Sequence, residues 1–189
     1  MVIENYALDA LSRVGRAFPA SIPRLAGFAA RQFSRTQRTD RGYRVFASER
    51  RVRFTEMEYA IPRRHGSEAV RRVLALVRER RLPIGFPIEF RLVAADDALL
   101  SPAHDRETAY VAVHQYQGVS WEPYFRAVEE IMDSYAGRPH WGKRHFQTAE
   151  TLAERYPHWR RFQRVRARLD PDGRFANGYT DRVLGPVRS

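Results

Sequence analysis

The chain has 189 residues, 33 of them Lys or Arg and 22 Asp or Glu, and carries a formal net charge of +11. It has no cysteine, which excludes a disulfide scaffold, a thiolate metal site and a catalytic thiol. No apolar run approaches the ~20 residues of a membrane-spanning helix, Met1 to Ala10 lack the basic start of a signal peptide, and 43% hydrophobic content is enough to bury a core.

Residues 1–36 read as helical, with a break near Pro19 to Pro23 and an apolar stripe of Tyr6, Leu8, Leu11 and Val14. A polar, Arg-rich connector over Arg35 to Arg53 should follow, ending in a short strand near Tyr43 to Phe46. Met57, Tyr59 and Ile61 alternate with Glu56, Glu58 and Ala60, which is strand periodicity ending at Pro62. Gly66-Ser67 offers an N-cap, and Val70, Val73, Leu74 and Val77 predict a helix over 67–81. A strand is expected through Ile88 to Ala94, a polar loop over Ala95 to Arg106, and a second strand from Thr108 to Tyr116. Ser120 would cap a helix whose stripe is Tyr124, Phe125, Val128, Ile131, Met132 and Tyr135, stopped by Gly137 and Pro139. The remainder reads as a loop, helices near Thr148 to Arg155 and Pro157 to Leu169, a turn at Asp170 to Gly173, and an aromatic tail. This order describes an α+β fold: a largely antiparallel sheet covered by helices on one face, with helical N- and C-terminal extensions.

The positive charge invites a polyanion partner. The arginines, however, are interleaved with acids along the chain. In the dense run Arg160 to Arg174, Trp159, Phe162, Val165 and Leu169 recur at helical spacing, with Arg160, Arg161, Arg164 and Arg168 on the other side, a solvated basic helix face. No RNP motif, zinc finger or basic zipper is present. Nor is there a G-x-G-x-x-G, a Walker loop or a G-x-S-x-G elbow, and His65, His104, His114, His140, His145 and His158 form no recognisable ligand spacing.

Three segments carry candidate chemistry. In Ile88-Glu89-Phe90-Arg91-Leu92, alternation puts Glu89 and Arg91 on one face and Phe90 and Leu92 on the other, towards the core. An acceptor beside a donor could hold a polyol; the alternative is an edge salt bridge. In the strand Thr108 to Tyr116, Tyr110, Ala112, His114 and Tyr116 share a face, so pairing beside Glu89 would add polar groups there. Third, His140-Trp141-Gly142-Lys143 contains the only lysine of the chain. Every other basic residue is arginine, and an ammonium is a compact point charge where a guanidinium is a planar fork. Such an ammonium could stabilise developing alkoxide character on a hydroxyl, and Gly142 would allow close approach of a ligand.

Met57-Glu58-Tyr59-Ala60-Ile61-Pro62, Glu89-Phe90-Arg91, His140-Trp141-Gly142-Lys143 and Leu169-Asp170-Pro171-Asp172-Gly173-Arg174-Phe175-Ala176-Asn177-Gly178-Tyr179 occur in this order. Together they resemble the C-terminal half of the sugar-lactone and alditol oxidases, flavoproteins of the vanillyl-alcohol oxidase superfamily. The resemblance runs from about Phe46 to Leu184. It implies a helical N-terminal segment and connector over 1–45, and over 46–189 a cap, or substrate-binding, domain with a C-terminal helical tail. It implies an FAD-dependent oxidoreductase of the arabinono- or gulono-lactone oxidase kind, oxidising a CH-OH group of a sugar lactone or polyol by hydride transfer to flavin. Oxygen or another acceptor would reoxidise the flavin.

By the same resemblance, Arg91 and Lys143 are the catalytic pair. Glu89, Arg91, Tyr116 and Lys143 would contact substrate, and His140 the flavin; His114 joins the substrate contacts because it shares a strand face with Tyr116, and no metal is implied. Tyr116 stands where alditol oxidases have a threonine, which favours a lactone over a polyol. The family's glycine-rich FAD-binding half has no counterpart in this chain, so either the chain is a truncated product or a separate subunit supplies that domain. The expected location is cytoplasmic, or peripheral at a membrane, with no transmembrane segment. The rival reading is a non-catalytic basic module that retains the cap fold and binds nucleic acid or an acidic partner.

Overall fold

The computed structural model describes residues 2–32, 39–46 and 52–187. Two helices open the chain, α1 (Val2–Ala17) and α2 (Ile22–Gln32), separated by a 3-10 turn at Pro19–Ser21. The break falls at the prolines because each lacks an amide donor and is tolerated only at the start of a turn or helix. The expected stripe on α1 differs. The side chains of Tyr6 and Leu8 lie outside the described residues, and Val14 is exposed. The close contact is made instead at Gly15, where a Cβ would come within 2.8 Å of the Ile22 side chain.

The connector expected over Arg35 to Arg53 falls partly outside the described residues. Its expected strand at Tyr43 to Phe46 is a short helix, α3 (Gly42–Phe46). The amides of Arg44 and Val45 both donate to the Arg41 carbonyl. A strand needs a neighbour to satisfy its backbone, and among the described residues no strand pairs with this segment, so local helical bonds take over.

The centre of the molecule is a four-stranded antiparallel sheet in the order β2-β3-β1-β4. Strand β1 (Phe54–Pro62) pairs along its whole length with β3 (Thr108–Tyr116), from Phe54 opposite Tyr116 to Pro62 opposite Thr108. Strand β2 (Glu89–Val93) flanks β3, and the two-residue β4 (Arg138–Pro139) flanks β1 at Tyr59 and Ala60. Because side chains alternate, Met57, Tyr59, Ile61, Ala109, Val111 and Val113 point to one face. There they pack against α4 (Gly66–Glu79) and α5 (Glu122–Asp133), which contribute Ala69, Val73, Tyr124, Phe125, Val128 and Met132. Both helices therefore lie on one side of the sheet, as the sequence pattern requires.

Several details depart from the expectation. Helix α4 begins at Gly66, directly after a 3-10 turn at Arg63–His65, so Ser67 lies inside its first turn and does not cap it. Helix α5 begins after Trp121, one residue beyond Ser120, with Pro123 in its first turn. Leu74 is exposed, and Ala69 takes its place in the buried stripe. Phe90 and Leu92 are not core residues. Both are largely exposed, since β2 is the edge strand and α4 and α5 cover β1 and β3. The Phe90 ring nevertheless lies against the start of α4, where a Cβ on Gly66 would meet it at 2.9 Å.

After β4 the chain forms α6 (Ala149–Ala153), α7 (Trp159–Leu169) and α8 (Gly178–Leu184) around a second cluster of Leu152, Tyr156, Trp159 and Val183. The expected aromatic tail is thus partly a helix, capped by Asn177, whose side chain accepts from the Tyr179 and Thr180 amides. The stripe on α7 is engaged only at its first turn: Trp159 is buried, while Val165 and Leu169 are exposed. Among the described residues no helix is long and apolar enough to cross a membrane.

The contact between α4 and the sheet sets a test. In an open helix interior, replacing glycine with alanine should gain up to about 1 kcal/mol. At Gly66 the new methyl would sit 2.7 Å from the Ala109 Cβ, which the sheet holds in place. Gly66→Ala is therefore expected to cost about 1–3 kcal/mol of unfolding free energy in urea titrations. Gly27→Ala, with nothing within 4 Å of the added Cβ, should be neutral or stabilising.

Candidate functional site

The sheet face opposite α4 and α5 is polar. Alternation along β1 places Glu56, Glu58 and Ala60 there. The pairing registers set Glu56 beside His114, Glu58 beside Ala112 and Ala60 beside Tyr110. On the far side of β3, Glu89 lies beside Ala112 and Arg91 beside Tyr110. Glu58 and Arg91 are thus two strands apart and offset by one step of the alternation, with Tyr110 and Ala112 of β3 on either side of the diagonal between them. Strands are spaced about 4.8 Å, and a long arginine side chain spans that double step by passing over the small Ala112. Arg91 reaches across β3 to donate to Glu58 Oε1, and its other terminal nitrogen lies 3.4 Å from Glu89.

Lys143 arrives from the opposite side. Beyond β4 the chain continues along β1: the His140 amide donates to the Glu58 carbonyl at 2.9 Å, and the Arg144 amide to the Glu56 carbonyl at 2.9 Å. Between these two anchors the chain turns, with the Lys143 amide on the His140 carbonyl at 3.1 Å. The indole of Trp141 fixes the turn from behind by donating to the Leu100 carbonyl at 2.9 Å. This places the Lys143 ammonium on the polar face, 2.5 Å from Glu58 Oε2 and also on Glu56 Oε1. His114 completes the group, its Nε2 being 3.1 Å from the same Glu56 oxygen. Phe54 and Phe86 flank its ring, and its Nδ1 is buried without a hydrogen-bond partner among the described residues.

Glu58 is the hub. Its side chain is 1% exposed, against 18% for Lys143 and 48% for Arg91. Burial pushes its pKa up, but the bonds and charges of Lys143 and Arg91 outweigh burial and hold the carboxyl below its usual range. Each Glu58 oxygen receives one cation, so the carboxylate is ionised and committed. It cannot serve as an acid or base; it can hold two cations in fixed positions. Arg91, in turn, is held charged: burial opposes its charge, and Glu58, Glu89 and Glu56 more than compensate.

The structure therefore brings Glu89, Arg91, His114 and Lys143 onto one face. Tyr116 shares the face but not the cluster, because its hydroxyl donates to Asp9 of α1 at 3.1 Å. His140 lies beside the turn, where its Nδ1 accepts the Gly142 amide at 3.1 Å. A Cβ at Gly142 would meet that ring at an ordinary 3.5 Å, so nothing among the described residues demands glycine there. Sequence reasoning missed Glu56 and Glu58 as site residues. Their signal was present as two acids alternating with core residues on a strand. Glu56, Glu89 and His114 could each offer a metal ligand atom within 4.8 Å of the others, but the Lys143 ammonium already occupies the Glu56 oxygen.

Beside Lys143 opens a cleft of about 870 Å³, bordered by Phe54, Trp121 and Trp141 and by Arg126, Arg144 and Arg182. Aromatic walls with a cationic rim suit a flat ring system with polar edges. His145, also in the cleft wall, has its pKa lowered to about 4 by burial and by Arg182 and Arg155.

The family model described as D-arabinono-1,4-lactone oxidase matches residues 1–183. An L-gulono-1,4-lactone dehydrogenase of Mycobacterium tuberculosis is 61% identical over 183 residues, which are 97% of this chain and 43% of that protein. The L-gulonolactone oxidase of Mus musculus is 31% identical over 86% of this chain and 40% of its own length. An alditol oxidase of Streptomyces is 36% identical over 68% of this chain and 31% of its own length. The chain thus spans less than half the length of these curated relatives.

Two acid transitions follow from the site. The lowered pKa of His145 means that the folded state resists protonation, so the stability it contributes is complete above pH 6.5 and is lost as pH falls towards 4. That loss should reach about 2–3 kcal/mol and should be absent in His145→Gln. Glu58 contributes stability above its ordinary 4.5, lost on further acidification as its carboxyl protonates. Urea denaturation across pH 3–7 (an interval of about four units) of wild type, His145→Gln and Glu58→Gln separates the two.

Proposed function

This chain belongs to the D-arabinono-1,4-lactone oxidase family, and from that premise we propose that it is the substrate-binding part of an FAD-dependent oxidoreductase. Its substrate would be an aldonolactone or related polyol, oxidised at a CH-OH group. The observation that carries this reading is the pair of cations, Arg91 and Lys143, drawn from opposite edges of the sheet onto one buried carboxylate.

A sugar hydroxyl has two needs as it is oxidised. Its oxygen must be held, and the negative charge that grows there as the O–H bond loosens must be stabilised. Lys143 and Arg91 meet both needs, with donors left over after their bonds to Glu58. Glu89, at the exposed edge, accepts from further hydroxyls, and His114 borders the same surface. Glu58 acts through the cations it positions. Because both are tethered before substrate arrives, little reorganisation accompanies the reaction.

The cleft beside Lys143 fits the ring portion of a flavin: its walls are aromatic and its rim cationic, and His140, whose Nδ1 accepts the Gly142 amide, directly precedes Trp141 of the wall. When bound there, the flavin supplies the hydride acceptor. The remaining contacts to FAD belong to the part of the family's proteins that this chain does not span. The same surface would serve oxidase and dehydrogenase alike, since oxygen or another acceptor acts on the reduced cofactor. A basic binding module would use the exposed arginines of α7 instead; it gives no reason for two cations held on a buried acid.

The test pairs the chain with the family's flavin-binding part and follows flavin reduction by an aldonolactone in anaerobic stopped flow. Lys143→Met is expected to slow reduction about 100-fold or more. Glu89→Gln should chiefly weaken substrate binding, raising KM by about tenfold. Unchanged reduction in Lys143→Met would remove the role given to this residue. Ala112→Leu should imitate loss of Arg91 by blocking its path to Glu58.

A further inference from the structure

A second group of polar side chains lies away from this face, in the loop between β2 and β3. His104 is 4% exposed, and neither of its ring nitrogens has a hydrogen-bond partner among the described residues. Burying an imidazole with both nitrogens unsatisfied costs free energy unless something meets them. Asp105 Oδ2 lies 3.1 Å from His104 Nε2, within ion-pair distance but outside hydrogen-bond geometry. The ring of His158, the residue preceding α7, stands edge-on to His104 at 5.1 Å between centroids. One ligand atom from each of His104, Asp105 and His158 falls within 4.8 Å of the other two.

We propose that His104, Asp105 and His158 form a binding site for a divalent transition-metal ion, of which Zn²⁺ is the type. Two imidazoles and a carboxylate are the donor set such borderline ions prefer. Two donors sharing an ion at ~2.0–2.1 Å lie roughly 3–3.4 Å apart, and the His104–Asp105 separation already matches. His158 needs only a small side-chain movement to close the third side, and it is half-exposed.

The supports are stiff. The Asp96 side chain accepts from the Ala98 amide at 3.1 Å and from the Ser101 hydroxyl at 2.5 Å, and the Asp105 amide donates to the Asp96 carbonyl at 3.0 Å. Arg106 and Arg138 are nearby cations that could repel a metal; the terminal nitrogens of Arg106 donate to the Ala136 and Ala60 carbonyls at 3.2 and 2.8 Å. The NH1 donors of Arg138 are spent on the carbonyls of Pro102 and His104, at 3.3 and 2.9 Å, and its Nε on that of Arg155 at 2.8 Å. Asp105 is largely exposed, so an ion held here would keep open positions towards water. Bound metal would clip the β2–β3 loop to the start of α7, joining the sheet to the C-terminal helices. Leu100, in the same loop, carries the carbonyl that holds Trp141 behind the Lys143 turn.

The experiment is calorimetric titration of the 189-residue chain with Zn²⁺, joined to visible absorption with Co²⁺. One ion per chain is expected. His158→Ala and Asp105→Asn, both at exposed or half-exposed positions and checked for folding by circular dichroism, should each weaken binding at least about tenfold. His158→Cys, which restores a ligand, should recover most of it. His114→Gln, which removes the Glu56–Glu89–His114 group, should leave it unchanged. Zn²⁺ should raise Tm in wild type but not in His158→Ala. Wild-type affinity matched by either ligand variant, or binding lost in His114→Gln, would overturn the assignment.

Discussion

An ionised carboxylate in a buried position is unstable unless its charge is answered, and Glu58 is answered twice. Arg91 comes to it across β3 from the edge strand, and Lys143 from the turn beyond β4. Remove the carboxylate and both long side chains lose the partner that restrains them. Keep it, and two positive charges are held on one sheet face before anything binds. The strand pairing, the small Ala112 and the anchored turn at His140–Lys143 all serve this one arrangement.

The fold divides its labour between two faces. One face of the sheet is closed by α4 and α5 over Tyr59, Val111, Phe125 and their neighbours, which supplies the apolar burial. The other keeps its acids and cations and is not covered by a helix of that layer. Tyr59 links the two aims. Its hydroxyl donates to Glu129 of α5, which also accepts the Phe146 amide at 2.9 Å, so the segment just after Lys143 is fastened to the core helix. Burial raises the pKa of Glu129, the opposite outcome to Glu58. Among the described residues no cation pairs with Glu129, whereas two pair with Glu58.

Much of the fold was legible in the sequence because its signals are periodic. Period-two alternation located β1 and β3 to within a few residues, and the apolar spacing located α4 and α5. Misreadings came where a local pattern depends on a distant neighbour. Phe90 and Leu92 alternate as core residues would, but β2 is at the edge. Tyr43 to Phe46 reads as a strand, but among the described residues it has no strand to pair with. Val165 and Leu169 continue an apolar stripe past the short cluster that α7 packs on.

For the site, the sequence by itself determined which side chains share a strand face, and it singled out Lys143 as the one ammonium among many guanidiniums. Alternation is a property of the pleated backbone, so Glu89 and Arg91, or Glu56 and Glu58, are neighbours in any fold that makes those strands. Only the tertiary structure decided that Arg91 and Lys143 meet on Glu58, or that His104 and His158 face each other. Those pairings depend on strand order, register and the path of the chain after β4, and side chains far apart along the chain become neighbours only when hydrogen-bonded pairing and core packing have closed the loops between them.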